Sequence, residues 1–327
     1  MSRIRTLFLG TPEFAAKILS ALVTDEHLEI VGVVTQPDKP RGRHLKVLPS
    51  PVKERANILN LPCVTPEKIR SQHDWHLIQQ FSAELAIVVA YGQILPEDFL
   101  KLFHYGIVNI HGSLLPKWRG AAPIQRSLEA GEKVTGVTLQ KISPELDAGD
   151  IIGYRTLNVT DDMDALDVLK ALEPLSIDLL TVDLIDYVRG NLAPIPQDHS
   201  QATYAPKITK EECLIDWNLP APVIHNKIRA FVLGPGAYST LGNHRLKILK
   251  SKLPEPHYPM PSALANLPPG TLLEKNRQIW VTCASGSFLE LVTVLPENRS
   301  PQKAYDWWQG LHQKNLSFVT SVQGTKT

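Results

Sequence analysis

Residues 84–91 read Glu-Leu-Ala-Ile-Val-Val-Ala-Tyr. Nothing polar interrupts the run from Leu85 to Ala90, and Ile87, Val88 and Val89 are β-branched, so the pattern is that of a strand covered on both faces. Working outward, the same kind of run recurs at Ile4–Gly10 (IRTLFLG), Glu29–Thr35 (EIVGVVT) and Ile107–His111 (IVNIH). Between the first two of these, Pro12–Leu22 places Phe14, Ile18 and Leu22 four residues apart, the spacing of one helix face. Buried strands alternating with helices predict an α/β domain with a mostly parallel sheet. Such sheets bind ligands beyond the carboxyl ends of their strands, where strand order reverses, so active residues are expected just after these runs.

Farther along, 164–188 has helical spacing, with Pro174 expected to kink or break it. Residues 190–206 are polar and proline-bearing and read as a linker, which divides the chain into domains 1–189 and 207–327. The second holds an amphipathic helix at 223–231 and short strands at 244–249, 270–273, 279–283 and 288–295, the pattern of a small barrel or sandwich. A loop is expected at 253–270, which carries six prolines. Charge divides at the same place: 207–327 holds 14 Lys and Arg against 8 Asp and Glu, whereas 1–206 holds 20 against 25. A basic small domain on an acidic α/β domain suits a phosphate backbone, although charge alone weighs no more for that than for a solvated surface.

The 327 residues, 43% hydrophobic and 20% charged, exclude a disordered chain. Cys63, Cys213 and Cys283 form no CxxC pair and suit buried thiols in a reducing compartment. The longest apolar run, Leu85–Tyr91, falls far short of the ~20 residues that span a bilayer, so a cytoplasmic protein without membrane contact is expected.

Chemistry concentrates in residues 107–126, IVNIHGSLLPKWRGAAPIQR. Asn109 and His111 lie two apart on a strand and so project from one face. An asparagine amide can donate to an oxyanion, and a histidine can move a proton near neutrality. A carboxylate to orient the ring is available in Glu145-Leu146-Asp147-Ala148-Gly149-Asp150, where spacing does not choose between Asp147 and Asp150 and glycine permits a tight turn. By itself an Asn-x-His pair is more often a locally hydrogen-bonded strand end. Gly10-Thr11-Pro12 is no dinucleotide fingerprint, because Pro12 stands where the second glycine belongs.

The segments FLGTPEFAA (8–16), VVTQPDKPRGR (33–43), PSPVK (49–53), VVAYGQILP (88–96), NIHGSLLPKWRGAAPIQRSL (109–128), LDAGDII (146–152) and YAPKITKEECLIDW (204–217) extend over nearly the whole chain. Together they resemble the folate-dependent N-formyltransferases, and within them the branch that acts on methionyl-tRNA. The resemblance implies a Rossmann-like α/β formyltransferase domain followed by a smaller OB-like β-barrel. It implies transfer of a formyl group from 10-formyltetrahydrofolate to the α-amino group of methionyl initiator tRNA, without a catalytic metal. The family's catalytic asparagine, histidine and aspartate fall on Asn109, His111 and Asp147. Its folate site falls on Ser113, Leu114, Leu115 and Pro116, with Tyr91, Gly92, Ile94 and Leu95 as a wall of the pteridine pocket. Its tRNA-contacting arginine falls on Arg43, in an arm that also carries Lys39, Arg41 and Lys46. Lys207, Lys210, Arg245 and Lys247 are expected to meet the tRNA backbone from the basic domain, and a monomer is expected. Formyl transfer to a small amine, hydrolysis of the formyl-folate, and a non-catalytic RNA-binding role are the competing readings.

Overall fold

The computed structural model describes residues 2–41, 46–69, 72–255, 267–311 and 316–319. They divide into two compact units: residues 1–123, 134–158 and 169–205 form one, and residues 124–133, 159–168 and 206–327 the other.

The first unit is built on a seven-stranded sheet of β1 (Ile4–Gly10), β2 (Leu28–Val34), β5 (Cys63–Val64), β6 (Leu85–Val89), β7 (Ile107–His111), β8 (Val134–Lys141) and β9 (Ile151–Asn158). Their order is β5-β2-β1-β6-β7-β8-β9. The first five run parallel, as the continuous apolar runs of β1, β2, β6 and β7 predict; the two-residue β5 was not expected. The last two pair antiparallel, an addition to the expected parallel sheet. Residues 85–89 are all buried, and β1 pairs with both β2 and β6, so the chain reverses its direction of travel across the sheet between β1 and β6. Helix α1 (Glu13–Leu22) buries Ala15, Ile18, Leu19 and Leu22 and starts directly after Pro12. The shorter helices α2 (Pro51–Ile58), α3 (Gln72–Gln79) and α4 (Glu97–Leu100) occupy later connections between strands, whereas α5 (Pro123–Glu129) belongs to the second unit from Ile124 on. A separate two-stranded hairpin, β3 (Lys39–Arg41) with β4 (Lys46–Leu48), stands off the sheet.

Pro174 lies inside α6 (Ala165–Thr181) without ending it, contrary to expectation. The proline is exposed, as is Lys170, whose carbonyl loses its N–H partner. The helix instead stops at Val182, and α7 (Asp183–Val188) follows.

The second unit is an antiparallel sheet of β10 (Tyr238–Leu241), β11 (His244–Lys252), β14 (Phe288–Pro296), β13 (Gln278–Thr282) and β12 (Leu272–Lys275) in that order, with β15 (Gln302–Lys303) paired to β14. Residues 316–319 hydrogen-bond to both sheet edges. Leu272 N–H donates to the Leu316 carbonyl at one edge, and Val319 N–H donates to the Thr240 carbonyl at the other. This strip satisfies edge groups that would otherwise be open and curls the sheet toward a barrel. Phe318 stacks on the fully buried Trp217 at 5.0 Å, and Trp217 Nε1 donates to Ser239 Oγ at 2.9 Å. Helix α8 (Ala221–Phe231) lines the same core with Ile224, Ile228 and Phe231. The proline-rich loop expected at 253–270 falls largely outside the described residues.

Candidate functional site

Asn109 and His111 sit at the carboxyl end of β7, on one face, opposite Gln140 and Thr138 of the neighbouring β8. The Asn109 side chain is half-buried, and no described residue hydrogen-bonds its amide. It is free to donate to an incoming group. His111 is only 5% exposed, and its Nε2 lies 2.9 Å from the Trp118 carbonyl. A carbonyl can only accept, so Nε2 carries the proton and Nδ1 is the lone-pair nitrogen of the neutral ring. That Nδ1 faces Asp147 Oδ2 at 3.6 Å.

Sequence spacing left Asp147 and Asp150 open; the geometry brings Asp147 to the histidine. Its carboxylate is fixed by Gly120 N–H on Oδ2 at 2.9 Å and by Gln140 Nε2 on Oδ1 at 3.0 Å. Its backbone has φ of 50°, the left-handed region that Asp enters more readily than most residues. The glycine of this segment serves a different purpose from the one expected. Gly149 does not supply the unusual backbone angle. A Cβ there would run into the carbonyl of Lys141, so close backbone approach excludes a side chain.

Ser113–Pro116 forms a tight loop with a cis Leu115–Pro116 peptide. Ser113 is fully buried, its Oγ donating to the Lys117 carbonyl at 2.7 Å, while Thr138 Oγ1 donates to the Ser113 carbonyl and accepts from Leu115 N–H. The Ser113 hydroxyl therefore holds the loop closed; Leu114 and Pro116 remain partly accessible. Tyr91 is 1% exposed and packs among Leu9, Val34, Phe99 and Phe103, so its ring faces the core. Burial, with a smaller push from Asp74, raises its phenol well above the ordinary value. Leu95 packs on the same core, while Ile94 is 80% exposed. What the 91–95 loop offers a ligand is thus Gly92 backbone and Ile94. An open cavity of about 590 Å³ brings Gly92 and Ile94 together with Lys39, Gln36 and Lys68; Asn109, His111 and Asp147 do not line it.

Residues that sequence reasoning missed complete the cluster. Arg119, 3% exposed, donates through Nε (3.2 Å) and Nη2 (2.7 Å) to Gln197 Oε1, and its Nη2 is 3.3 Å from His199 Nδ1. Thr203 accepts Trp118 N–H on its hydroxyl and Arg119 N–H on its carbonyl. Gln197, His199 and Thr203 all belong to the stretch expected as a linker, whose composition gave no hint of partners in the site.

Lys39 and Lys46 lie on the β3–β4 hairpin, and Lys39 Nζ donates to Gln36 Oε1. Arg41 pairs with Lys46 in the ladder, and Arg43 lies outside the described residues. In the second unit Lys207 and Lys210 are exposed. Arg245 and Lys247 on β11 are half-buried, the Arg245 guanidinium lying over the Tyr238 ring at 3.5 Å from its centroid. Among the described residues, no group of three or more His, Cys, Asp or Glu could hold a metal ion, and no helix is long and apolar enough to cross a membrane.

The chain matches the family description "Formyl transferase" over residues 2–180 and "Formyl transferase, C-terminal domain" over residues 207–312. It is 48% identical to a methionyl-tRNA formyltransferase of Bdellovibrio bacteriovorus, over 95% of this chain and 96% of the relative. It is 39% identical to one from a Sulfurihydrogenibium species, over 89% and 92% respectively. Among solved structures, the sugar 3N-formyl transferase WlaRD, crystallised with dTDP and 5-N-formyl-THF, superposes with a TM-score of 0.64. That match covers 92% of this chain and 100% of the other at 19% identity, a likeness of fold. The chain belongs to the methionyl-tRNA formyltransferase family.

Proposed function

We propose that this enzyme transfers the formyl group of 10-formyltetrahydrofolate to the α-amino group of methionyl initiator tRNA, giving N-formylmethionyl-tRNA. The observation that carries the reading is the convergence of an unengaged Asn109 amide, a His111 ring with its tautomer fixed, and the anchored Asp147 carboxylate in a chain of this family.

The methionine amine attacks the formyl carbon, and the carbonyl oxygen gains negative charge as the carbon becomes tetrahedral. Asn109 donates a hydrogen bond to that oxygen. His111 accepts the amine's proton at Nδ1, and the resulting cation lies between the Trp118 carbonyl and Asp147. The carbon–nitrogen bond to the folate then breaks, and the proton passes to the departing folate nitrogen. Folate is expected to lie against Leu114–Pro116 and the Gly92–Ile94 edge. The tRNA is expected on the β3–β4 hairpin, through Lys39, Arg41, Arg43 and Lys46, and on the basic domain from residue 207 onward.

The test is formyl transfer from 10-formyltetrahydrofolate to methionyl initiator tRNA, with methionyl elongator tRNA and glycinamide ribonucleotide as competing acceptors. Transfer to the initiator alone supports the reading. Transfer to the small amine alone keeps the Asn-His-Asp cluster and removes the tRNA assignment.

A further inference from the structure

We infer that Gln197 is a positioning residue for this reaction: its side-chain amide fixes the turn that carries Asp147, and with it the carboxylate's place beside His111. The inference rests on the reaction proposed above.

Gln197 is 5% exposed. Its Oε1 accepts both hydrogen bonds from Arg119, and its Nε2 donates to the Asp147 carbonyl at 2.9 Å and the Gly149 carbonyl at 2.7 Å. These partners leave no freedom in how the amide is oriented. Arginine only donates and carbonyls only accept, so the oxygen must face Arg119 and the nitrogen must face the turn. Nε2 also lies 3.3 Å from Gln140 Oε1, and Gln140 Nε2 is the donor that holds Asp147 Oδ1. At the other end, Arg119 immediately precedes Gly120, whose N–H holds Asp147 Oδ2. Gln197 thus reaches Asp147 by three routes: the residue's own carbonyl, the side chain on Oδ1, and the backbone on Oδ2.

The turn needs such a brace. Asp147 sits at φ of 50°, a left-handed conformation that carries some cost even for Asp, so contacts around the turn are needed to hold its carboxylate in one place. No other side-chain amide has this combination of length and polarity here. Asparagine is a methylene short. Glutamate keeps an acceptor for Arg119 but sets carboxylate oxygen against two carbonyl oxygens.

That contrast supplies the experiment. Formylation by the full chain is measured for wild type, Gln197→Glu, Asp147→Asn and the double variant, under steady-state and single-turnover conditions. Urea unfolding runs in parallel. The expected result is a kcat about 10–10²-fold lower for Gln197→Glu, the scale of a small misplacement at a reacting group. KM for the folate and for methionyl-tRNA should stay within about threefold of wild type. In the Asp147→Asn background the same substitution should change the single-turnover rate by less than about twofold, because the group it positions is already gone. Wild-type kcat in Gln197→Glu would overturn the inference, since a mere partner for Arg119 survives that exchange. An equal loss with and without Asp147 would overturn it too. If Gln197→Glu does not fold, Gln197→Ala is read by the same two criteria. Wild-type turnover in Asp147→Asn alone would instead remove the reaction scheme on which the inference stands.

Discussion

Asp147 Oδ2 accepts the Gly120 N–H at 2.9 Å while standing 3.6 Å from His111 Nδ1. The second distance is too long for a hydrogen bond. The carboxylate is therefore held first by the backbone and by Gln140, and it waits beside the nitrogen that gains the proton. His111 is fixed independently, through Trp118, whose own φ of 63° is unusual for so bulky a residue. Two strained backbone positions, Trp118 and Asp147, flank one imidazole, and each contributes one contact to it.

This arrangement separates the roles of the two side chains. His111→Ala should lower kcat by about 10²–10⁴-fold, the range for a positioned proton-transfer group. Asp147→Asn keeps an acceptor for Gly120 N–H but loses the charge beside Nδ1, and should lower kcat by a smaller factor than His111→Ala. Both variants should unfold in urea as cooperatively as wild type. Rapid-quench formylation with methionyl-tRNA measures the two losses; a His111→Ala enzyme at wild-type turnover would refute the assignment.

Gly149→Ala tests the turn without touching a reacting group. The added methyl meets the Lys141 carbonyl, a backbone atom that cannot rotate away, so the turn must shift. Expected are a loss of about 1–3 kcal/mol in stability, as for other overpacked sites, and a lower kcat in the variant that still folds. Urea titration and kcat on the same preparation check both. Unchanged values for both would mean that the turn tolerates displacement and that its geometry is not critical.

The sequence made the central strands legible because their runs are continuous and β-branched, and it made Asn109 and His111 legible because two-residue spacing fixes a face. Strands β8 and β9 were missed. β9 buries only Ile152, exposes Tyr154, Thr156 and Asn158 and leaves the rest half-buried, a weak signal beside the buried strands. Gln197 was hidden for a different reason. Two of its partners are main-chain carbonyls, which every sequence possesses, so no residue pattern can announce the contact. Pro174 misled because both it and Lys170, whose carbonyl it leaves without an N–H partner, lie on the exposed side of α6.

In the second unit, His225 gives a pH dependence whose sign can be worked out. Its ring is 4% exposed, with Nε2 donating to the Asp161 carbonyl and Nδ1 accepting from Ser251 Oγ, both at 2.9 Å. Burial lowers its pKa below the ordinary 6.5; the Asp161 carbonyl opposes this and the nearby Arg229 cation adds to it. The unfolded chain then binds more protons than the folded one, so this contribution to stability is complete above about pH 6.5 and is lost as pH falls through the folded value. Urea midpoints measured from pH 7.5 to 5 should fall more steeply for wild type than for His225→Gln. Parallel slopes would show that the ring does not titrate between the two states.

The basic residues are expected to divide by how each is held. Lys46, Lys207 and Lys210 are exposed, free to place an ammonium against a phosphate and release a counterion. Replacing any one by Ala should weaken binding of methionyl-tRNA and flatten the dependence of log Kobs on log salt by about 0.7–0.9 for each phosphate left without its cation, with the KM for folate unchanged. Arg245 differs, because its guanidinium is stacked on Tyr238 at 3.5 Å and its Nε is buried without a partner. Arg245→Met keeps an apolar stem but loses both the charge and the flat contact, so it should cost about 0.5–1 kcal/mol of stability while leaving the salt slope near wild type. Filter binding across a salt series, with urea unfolding of the same variants, separates the two groups. A flattened slope in Arg245→Met would mean that the guanidinium itself meets phosphate, and an unchanged slope in all three lysine variants would place the tRNA on another face.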